Sequence, residues 1–270
     1  MIAETLQKEL RERYNPDGST LRRQQMRMLE MLQYVDSVCT KHNIRYWLCG
    51  GTLLGAVRHG GFIPWDDDLD IAMLKEDYKK FVNVMENEKS DDYVLQTHKT
   101  DPNYFVPYAK LRDIHSYLKE GNTNDVHYKY HGIYIDIFAL EPSSSFWLSR
   151  ISGSIQGRIF YANRIKSELW RKILTRCLYY VAYTLVFPCF STIGRIGAGN
   201  RLRVAYGSCM FMPVYSTDIF PLNNLKFEGL SFPVPHNCDG YLRKIYGDYM
   251  KLPDLNKIEK HINRIEFHDR

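Results

Sequence analysis

The 270-residue chain is informative first for what it lacks. Its six cysteines, Cys39, Cys49, Cys177, Cys189, Cys209 and Cys238, form no CxxC pair, which excludes the usual zinc cluster and a thioredoxin-like redox motif. Their apolar neighbours point to reduced, buried thiols of a cytosolic protein. The opening MIAETLQKELRERY has no apolar core of the signal-peptide kind, so the protein is expected to stay inside the cell. The most apolar stretch, CLYYVAYTLVFPCF (residues 177–190), is about 14 residues, short of the ~20 needed to span a bilayer. There is no internal repeat and no low-complexity segment. Acid is almost absent from Arg150 to Arg203, where ten Lys/Arg face Glu168 alone. That segment carries +9 and leaves −4 for the remainder of a chain of net charge +5. A basic region on an acidic remainder suits a specific anionic partner better than general nucleic-acid binding.

What is present is ordinary in bulk and unusual in one place. At 44% hydrophobic and 25% charged the chain can bury a substantial core. Residues 1–19 read as a polar lead ending in the turn Asn15-Pro16-Asp17-Gly18, with Ser19 or Thr20 placed to cap the next helix. Met26, Leu29, Leu32, Val35 and Val38 recur at helical spacing over 21–42. A strand over 44–49 ends at Gly50-Gly51, and a helix begins at Thr52 and runs to His59. Further readings are a strand over 69–73, a helix over 75–86 with Tyr78, Phe81, Val82 and Met85 inward, and strands over 93–97, 105–112 and 133–140. A hairpin turning near Gly229 precedes a helix over 238–246. For residues 177–190, flanked by Arg171, Lys172 and Arg176 and interrupted by Pro188, two readings stay open: a buried core helix, or a helix lying in a membrane interface.

The unusual place is YWLCGGTLLGAVRHGGFIPWDDDLDIAM, residues 46–73. Two carboxylates ~4 Å apart repel by ~1 kcal/mol in water and ~4 kcal/mol near a protein surface. Acids aimed at one spot therefore need a counter-cation. On a strand, Asp68 and Asp70 share a face, Asp66 joins them, and Asp67 points away. Oxygen-only ligands suit Mg²⁺ or Mn²⁺. Asp136 stands alone inside the apolar IYIDIFAL, which is costly unless it is paired or liganded. Gly50, Gly51 and Thr52 open a helix whose N-terminal amides suit phosphate. Arg58, His59, Lys110 and Arg112 are candidate phosphate partners, the last two sharing a strand face. Tyr46 and Trp65 read as core or site walls.

The order of a glycine pair after a strand, Asp-x-Asp on a strand and a later strand Asp matches the nucleotidyltransferase superfamily pattern. The stretch GGTLLGAVRHGGFIPWDDDLDIAM, with AKLRD (109–113), YIDIFAL and FEGLSFPVP…YLRKIYGDYMKLP, resembles the LicD family, bacterial phosphocholine transferases related to fukutin and fukutin-related protein. The resemblance spans roughly 25–140 and 225–253. It implies an α+β fold, a nucleotidyltransferase-like mixed sheet flanked by helices, with a catalytic core over 20–145, a basic helical insertion over 146–224 and a completing part over 225–270. It implies transfer of a substituted phosphate from a CDP-linked alcohol to a sugar hydroxyl of a cell-surface glycan, such as lipopolysaccharide or teichoic acid, or its lipid-linked precursor. Asp68, Asp70 and Asp136 would be catalytic and, with Asp66, hold the metal, Asp136 also serving as base. The expected location is the cytoplasm, with peripheral association at the inner face of the membrane as the open alternative. The competing readings are a nucleotidyltransferase that moves NMP, and an inactive glycan-binding relative.

Overall fold

The computed structural model describes residues 2–120, 124–255, 258 and 264–268. A seven-stranded mixed sheet carries the core. Its strands in chain order are β1 (Trp47–Leu48), β2 (Asp70–Leu74), β3 (Tyr93–Gln96), β4 (Ala109–Asp113), β6 (Tyr134–Pro142), β7 (Arg201–Val204) and β8 (Val214–Tyr215), with β5 (Ser116–Lys119) outside it. The order is β1-β2-β6-β4-β3, and β7 takes over from β4 along the second half of β6, with β8 beyond it. Only β2 and β6 run parallel within this sheet. β6 is buried from Ile135 to Glu141, which is why its sequence lacks polar alternation.

The helices α1 (Glu4–Tyr14), α2 (Thr20–Lys41), α3 (Gly50–His59) and α4 (Lys75–Asn87) come first. α5 (Phe146–Ala162), α6 (Glu168–Val181) and α7 (Phe187–Arg195) fill the basic segment, followed by the one-turn α8 (Ser216–Ile219) and by α9 (Cys238–Tyr246). Ser19 caps α2 as expected, its hydroxyl accepting from the Arg22 amide at 3.2 Å. The buried face of α2 is Met28, Leu29, Met31, Leu32, Val35, Val38 and Cys39. Met26 is a correction: it stands 37% exposed, one position off that stripe.

Several boundaries move for identifiable reasons. α1 lies where a polar lead was expected; its one buried side chain, Leu10, is too little to mark a helix in sequence. β1 keeps two residues of the expected 44–49 because it pairs only through Trp47 and Leu48, at the sheet's edge. The strand expected from 105 begins at Ala109, where pairing to β6 starts. β5 and β11 (Arg264–Phe267) pair into a small sheet that sequence did not indicate. The hairpin β9 (Asn223–Phe227) and β10 (Leu230–Val234) turns at Glu228-Gly229, and α9 falls on its expected residues. Residues 201–204 and 214–215 of the basic segment return to the main sheet as β7 and β8.

α6, a π-helical turn (Ala182–Val186) and α7 form one continuous helix. Pro188 does not end it, because the π turn places the ring near the start of α7, where its missing N–H is tolerated. The buried-core reading fails there: Leu174, Leu178, Val181 and Leu185 face outward. The thiol expectation is corrected likewise. All six cysteines are free, but only Cys39 and Cys49 are buried, because Cys177 and Cys189 lie on that outward helix and Cys209 in an exposed loop.

Candidate active site

The parallel pairing of β2 and β6 puts Asp70 opposite Asp136, and the antiparallel pairing of β6 and β4 puts Lys110 opposite Asp136. Two acids and a cation thus occupy one rung across three strands. Lys110 Nζ stands 3.4 Å from Asp136 Oδ1 and donates to Glu120 Oε2 at 2.9 Å. Arg112 also binds Glu120, through Nη2. Arg112 is fully buried, donating through Nε to Gln96 Oε1 at 2.8 Å and through Nη1 to the Gly132 carbonyl at 2.9 Å. Lys110 therefore faces the acids, while the described donors of Arg112 are engaged within the scaffold. Glu120, which sequence reasoning missed, is the hinge of this network. Burial would raise its carboxyl, but the charges and hydrogen bonds of Lys110 and Arg112 outweigh it and bring it down to about 2.

The glycine pair sits against the acids. Gly50 adopts φ +54°, and a Cβ there would meet Asp70 Oδ2 at 2.5 Å; one on Gly51 would meet Asp66 Oδ2 at 2.8 Å. Glycine is required because the carboxylates fill the space a side chain would take. The Thr52 hydroxyl accepts from the Asp70 amide at 2.8 Å and ties the start of β2 to the first turn of α3. The N-cap residue of α3, Cys49, offers no side-chain acceptor to that turn.

Asp66, Asp67 and Asp68 precede the strand instead of lying on it, so alternation does not govern them. Their carboxylate oxygens lie within 4.8 Å of one another, and Asp67, expected to face away, joins the group. Two buried glutamines of α2 hold this loop: Gln24 donates to the Asp67 carbonyl at 2.6 Å and Gln25 to the Asp66 carbonyl at 2.9 Å. Their amides look in sequence like any polar helix face.

Charge density shows in the titration of these acids. Burial, then the neighbouring charges of Asp68 and Asp136, raise Asp70 well above the carboxylate range. Burial and the charges of Asp68 and Asp67 do the same to Asp66. Asp136 is pushed up to about 6 by burial, with Lys110 opposing and Asp68 and Glu120 adding to the rise. Asp136 Oδ1 is buried yet accepts no hydrogen bond among the described residues, the Lys110 contact being too poorly aligned to count as one. An all-oxygen donor set with uncompensated charge and an open lone pair matches the chemistry a hard divalent cation demands.

Arg58 and His59 lie at the far end of α3 and are both buried. Arg58 Nη1 donates to the Tyr249 carbonyl at 2.7 Å, and Nε to His59 Nε2 at 2.9 Å. His59 Nε2 thus accepts, leaving Nδ1 to donate to Gln7 Oε1 at 2.6 Å. The pair fastens α3 to α1 and to the segment after α9, and the Arg58 charge also reaches Asp66. Tyr46 is a core residue whose hydroxyl donates to Asp36, and Trp65 packs between Tyr14 and His59.

A cavity of about 430 Å³ runs from Gly50 and Asp70 along Phe138, Phe146 and Phe211 to Tyr246. Tyr246 is a second residue sequence left unassigned. Burial and the charges of Asp70, Cys49, Asp66 and Asp68 raise its phenol, so the C-terminal part closes one wall of the acidic site.

The profile of the LicD/FKTN/FKRP nucleotidyltransferase domain matches residues 43–165. The chain is 30% identical over 258 residues to the lipopolysaccharide cholinephosphotransferase LicD of Haemophilus influenzae, covering 87% of this chain and 92% of that one. It is 52% identical over 48 residues to the human ribitol 5-phosphate transferase FKRP, which is 18% of this chain and 10% of that protein. An uncharacterized Rickettsia typhi protein is 38% identical over 93 residues, 34% of this chain and 29% of its own.

Proposed function

The chain belongs to the LicD family, and from that premise we propose that it is a phosphotransferase acting on a glycan. It moves a substituted phosphate such as phosphocholine from a CDP-linked alcohol to a hydroxyl of a cell-surface glycan or its lipid-linked precursor, releasing CMP. The observation that carries this is the rung of Asp70, Asp136 and Lys110 beside the Gly50-Gly51 helix start. A strand and helix opening with a glycine pair, and two acid-bearing parallel strands beside it, also support a nucleotidyltransferase-type core. The Haemophilus relative is named for choline phosphate transfer to lipopolysaccharide, and FKRP for ribitol 5-phosphate transfer.

Asp68, Asp70 and Asp136, with Asp66 and Asp67 alongside, would hold Mg²⁺ or Mn²⁺. Bound there, the cation would supply charge neutralisation for the donor pyrophosphate and so favour its cleavage. Asp136, with a carboxyl near 6, is suited to accept the proton of the attacking sugar hydroxyl at neutral pH. The acceptor oxygen then bonds to the alcohol-bearing phosphorus, and the bond from that phosphorus to the oxygen retained by CMP breaks. Lys110, fixed by Glu120, supplies positive charge beside that rung. The N-terminal amides of α3, beside the Asp70 and Asp66 carboxylates that pack against its glycines, offer donors to phosphate oxygens. The cavity ending at Asp70 takes the acceptor, its aromatic walls suited to a sugar face.

The test is incubation with CDP-choline, CDP-ribitol and CDP-glycerol, Mg²⁺ and a glycan acceptor. CMP release with the alcohol phosphate on the acceptor is expected from one donor. A nucleotidylated acceptor would overturn the reading in favour of NMP transfer, and no turnover with any donor would favour a binding role.

A further inference from the structure

The continuous helix from Glu168 to Arg195 is 28 residues long, ~42 Å at 1.5 Å per residue. One side is built into the protein. Arg171, Thr175, Ala182, Phe187 and Ser191 are buried, and the Ser191 hydroxyl donates to Glu141 on β6 at 2.6 Å. The other side presents Trp170, Leu174, Leu178, Val181, Leu185 and Ile193, each between 38% and 62% exposed. Their spacing of three, four or eight residues makes one stripe. α5, packed against α6, exposes Trp147, Ile151 and Tyr161 as well. A soluble monomer rarely leaves so continuous an apolar face uncovered.

The charge around the stripe says what covers it. Arg150, Arg158, Arg164, Lys166, Lys172, Arg176 and Arg195 are all exposed. Among the described residues only Lys172 of these pairs with a carboxylate, that of Glu168. A cleft of about 610 Å³ where α5 gives way to α6 is lined by Arg164, Lys166 and Arg171, with Glu168 as the only carboxylate among the described residues that line it. A second copy of the chain would bring this positive surface against itself, which like-charge repulsion opposes. A helix crossing the bilayer would have to pull Arg171 and Ser191 away from their protein partners. An anionic lipid surface satisfies both the stripe and its basic border.

We propose that α5, α6 and α7 form a peripheral docking surface for anionic membranes. The apolar stripe lies at the acyl boundary and the arginines among phosphate headgroups. Phe146, which opens α5, lines the cavity ending at Asp70, so the docking face begins at the rim of the site. The proposal does not rest on the catalytic reading, since docking is measured without donor or acceptor.

The experiment floats the full chain with vesicles of phosphatidylcholine alone and of an equimolar mixture with phosphatidylglycerol. Co-flotation with the anionic vesicles and release by high salt are expected. Trp147 and Trp170 are the outward tryptophans, at 67% and 57% exposure, so emission shifts to the blue on binding, and less so in Trp170→Phe. Replacing Arg158, Arg164 and Lys166 by Gln lowers partitioning about tenfold or more. Leu174→Asp with Leu178→Asp abolishes flotation while circular dichroism and thermal unfolding stay unchanged, both positions being exposed. Four results would overturn the proposal: no flotation by a monomer, a dimer that Leu174→Asp splits, equal binding to both vesicle types, or bound protein that resists alkaline extraction as a spanning helix does.

Discussion

Asp70 and Asp136 are register partners on the two parallel strands of the sheet, and Lys110 faces Asp136 from the next strand. Backbone pairing thus forces the two carboxylates together whatever their charges prefer. Asp70 titrates well above its ordinary range, chiefly through burial and then through Asp68 and Asp136. A raised pKa means stability that is present at low pH and lost as pH rises through the folded value. Asp70→Asn is therefore expected to raise the thermal midpoint at neutral pH in the presence of a chelator. It should also lower transfer by a hundredfold or more, as loss of a charge aimed at the reacting centre does. Mg²⁺ at about 100 times its dissociation constant should stabilise the wild type by about 2.7 kcal/mol and the variant much less. A variant whose midpoint falls without metal would contradict this account of the site.

Gly50→Ala tests the glycine pair. The new Cβ would sit 2.5 Å from Asp70 Oδ2 in a backbone of φ +54°. Left-handed backbone costs an alanine roughly 1–2 kcal/mol. The larger effect is displacement of Asp70, and misplacement by about 1 Å lowers rate about a hundredfold. Steady-state kinetics beside urea unfolding separates the two: kcat should fall far more than folding stability does. Gly229→Ala, also at positive φ but with open space around its Cβ, is the control expected to leave kcat unchanged.

These relationships were unevenly legible in the sequence. Elements with a strong internal period, α2, α4 and α9, lie within a residue or two of their expected limits because one buried stripe dictates each. Asp70 and Asp136 were readable because an acid inside an apolar strand has no cheap explanation. Glu120 was not, since it lies in a polar loop and matters only because β4 brings Lys110 and Arg112 to it. Gln24 and Gln25 were hidden for the same reason, as their partners are carbonyls about forty residues away. The bonds of Arg58 to the Tyr249 carbonyl and of His59 to Gln7 were hidden likewise, their partners lying 191 and 52 residues away. Alternation misplaced Asp67 because the strand begins only at Asp70.

Glu120→Gln isolates the network behind Lys110. The carboxyl at about 2 is held there by Lys110 and Arg112, which it separates and neutralises. Removing its charge leaves two buried cations sharing one carboxylate, Asp136, within reach of Lys110. Breaking a buried ion pair in this way costs about 3–5 kcal/mol. Chemical denaturation should show that loss, and Glu120→Asp should recover part of it by restoring the charge.

His59 supplies a pH signature of its own. Burial, then the Arg58 charge, pushes its imidazole down to about 3. The bond from Arg58 Nε to Nε2 requires the neutral ring. In the unfolded chain the ring takes up a proton near its ordinary pKa of about 6.5, while in the folded protein it does not until about pH 3. Between those values the unfolded state binds the extra proton, so folding stability falls as pH falls, by at most about 1.4 kcal/mol per unit. Above pH 6.5 His59 contributes no slope. His59→Gln cannot take up that proton, so the wild-type loss of stability between pH 6.5 and 4.5 should exceed the variant's. Urea midpoints measured across that window give the difference; parallel curves would mean that His59 is protonated in the folded protein and that its bond to Arg58 does not exist.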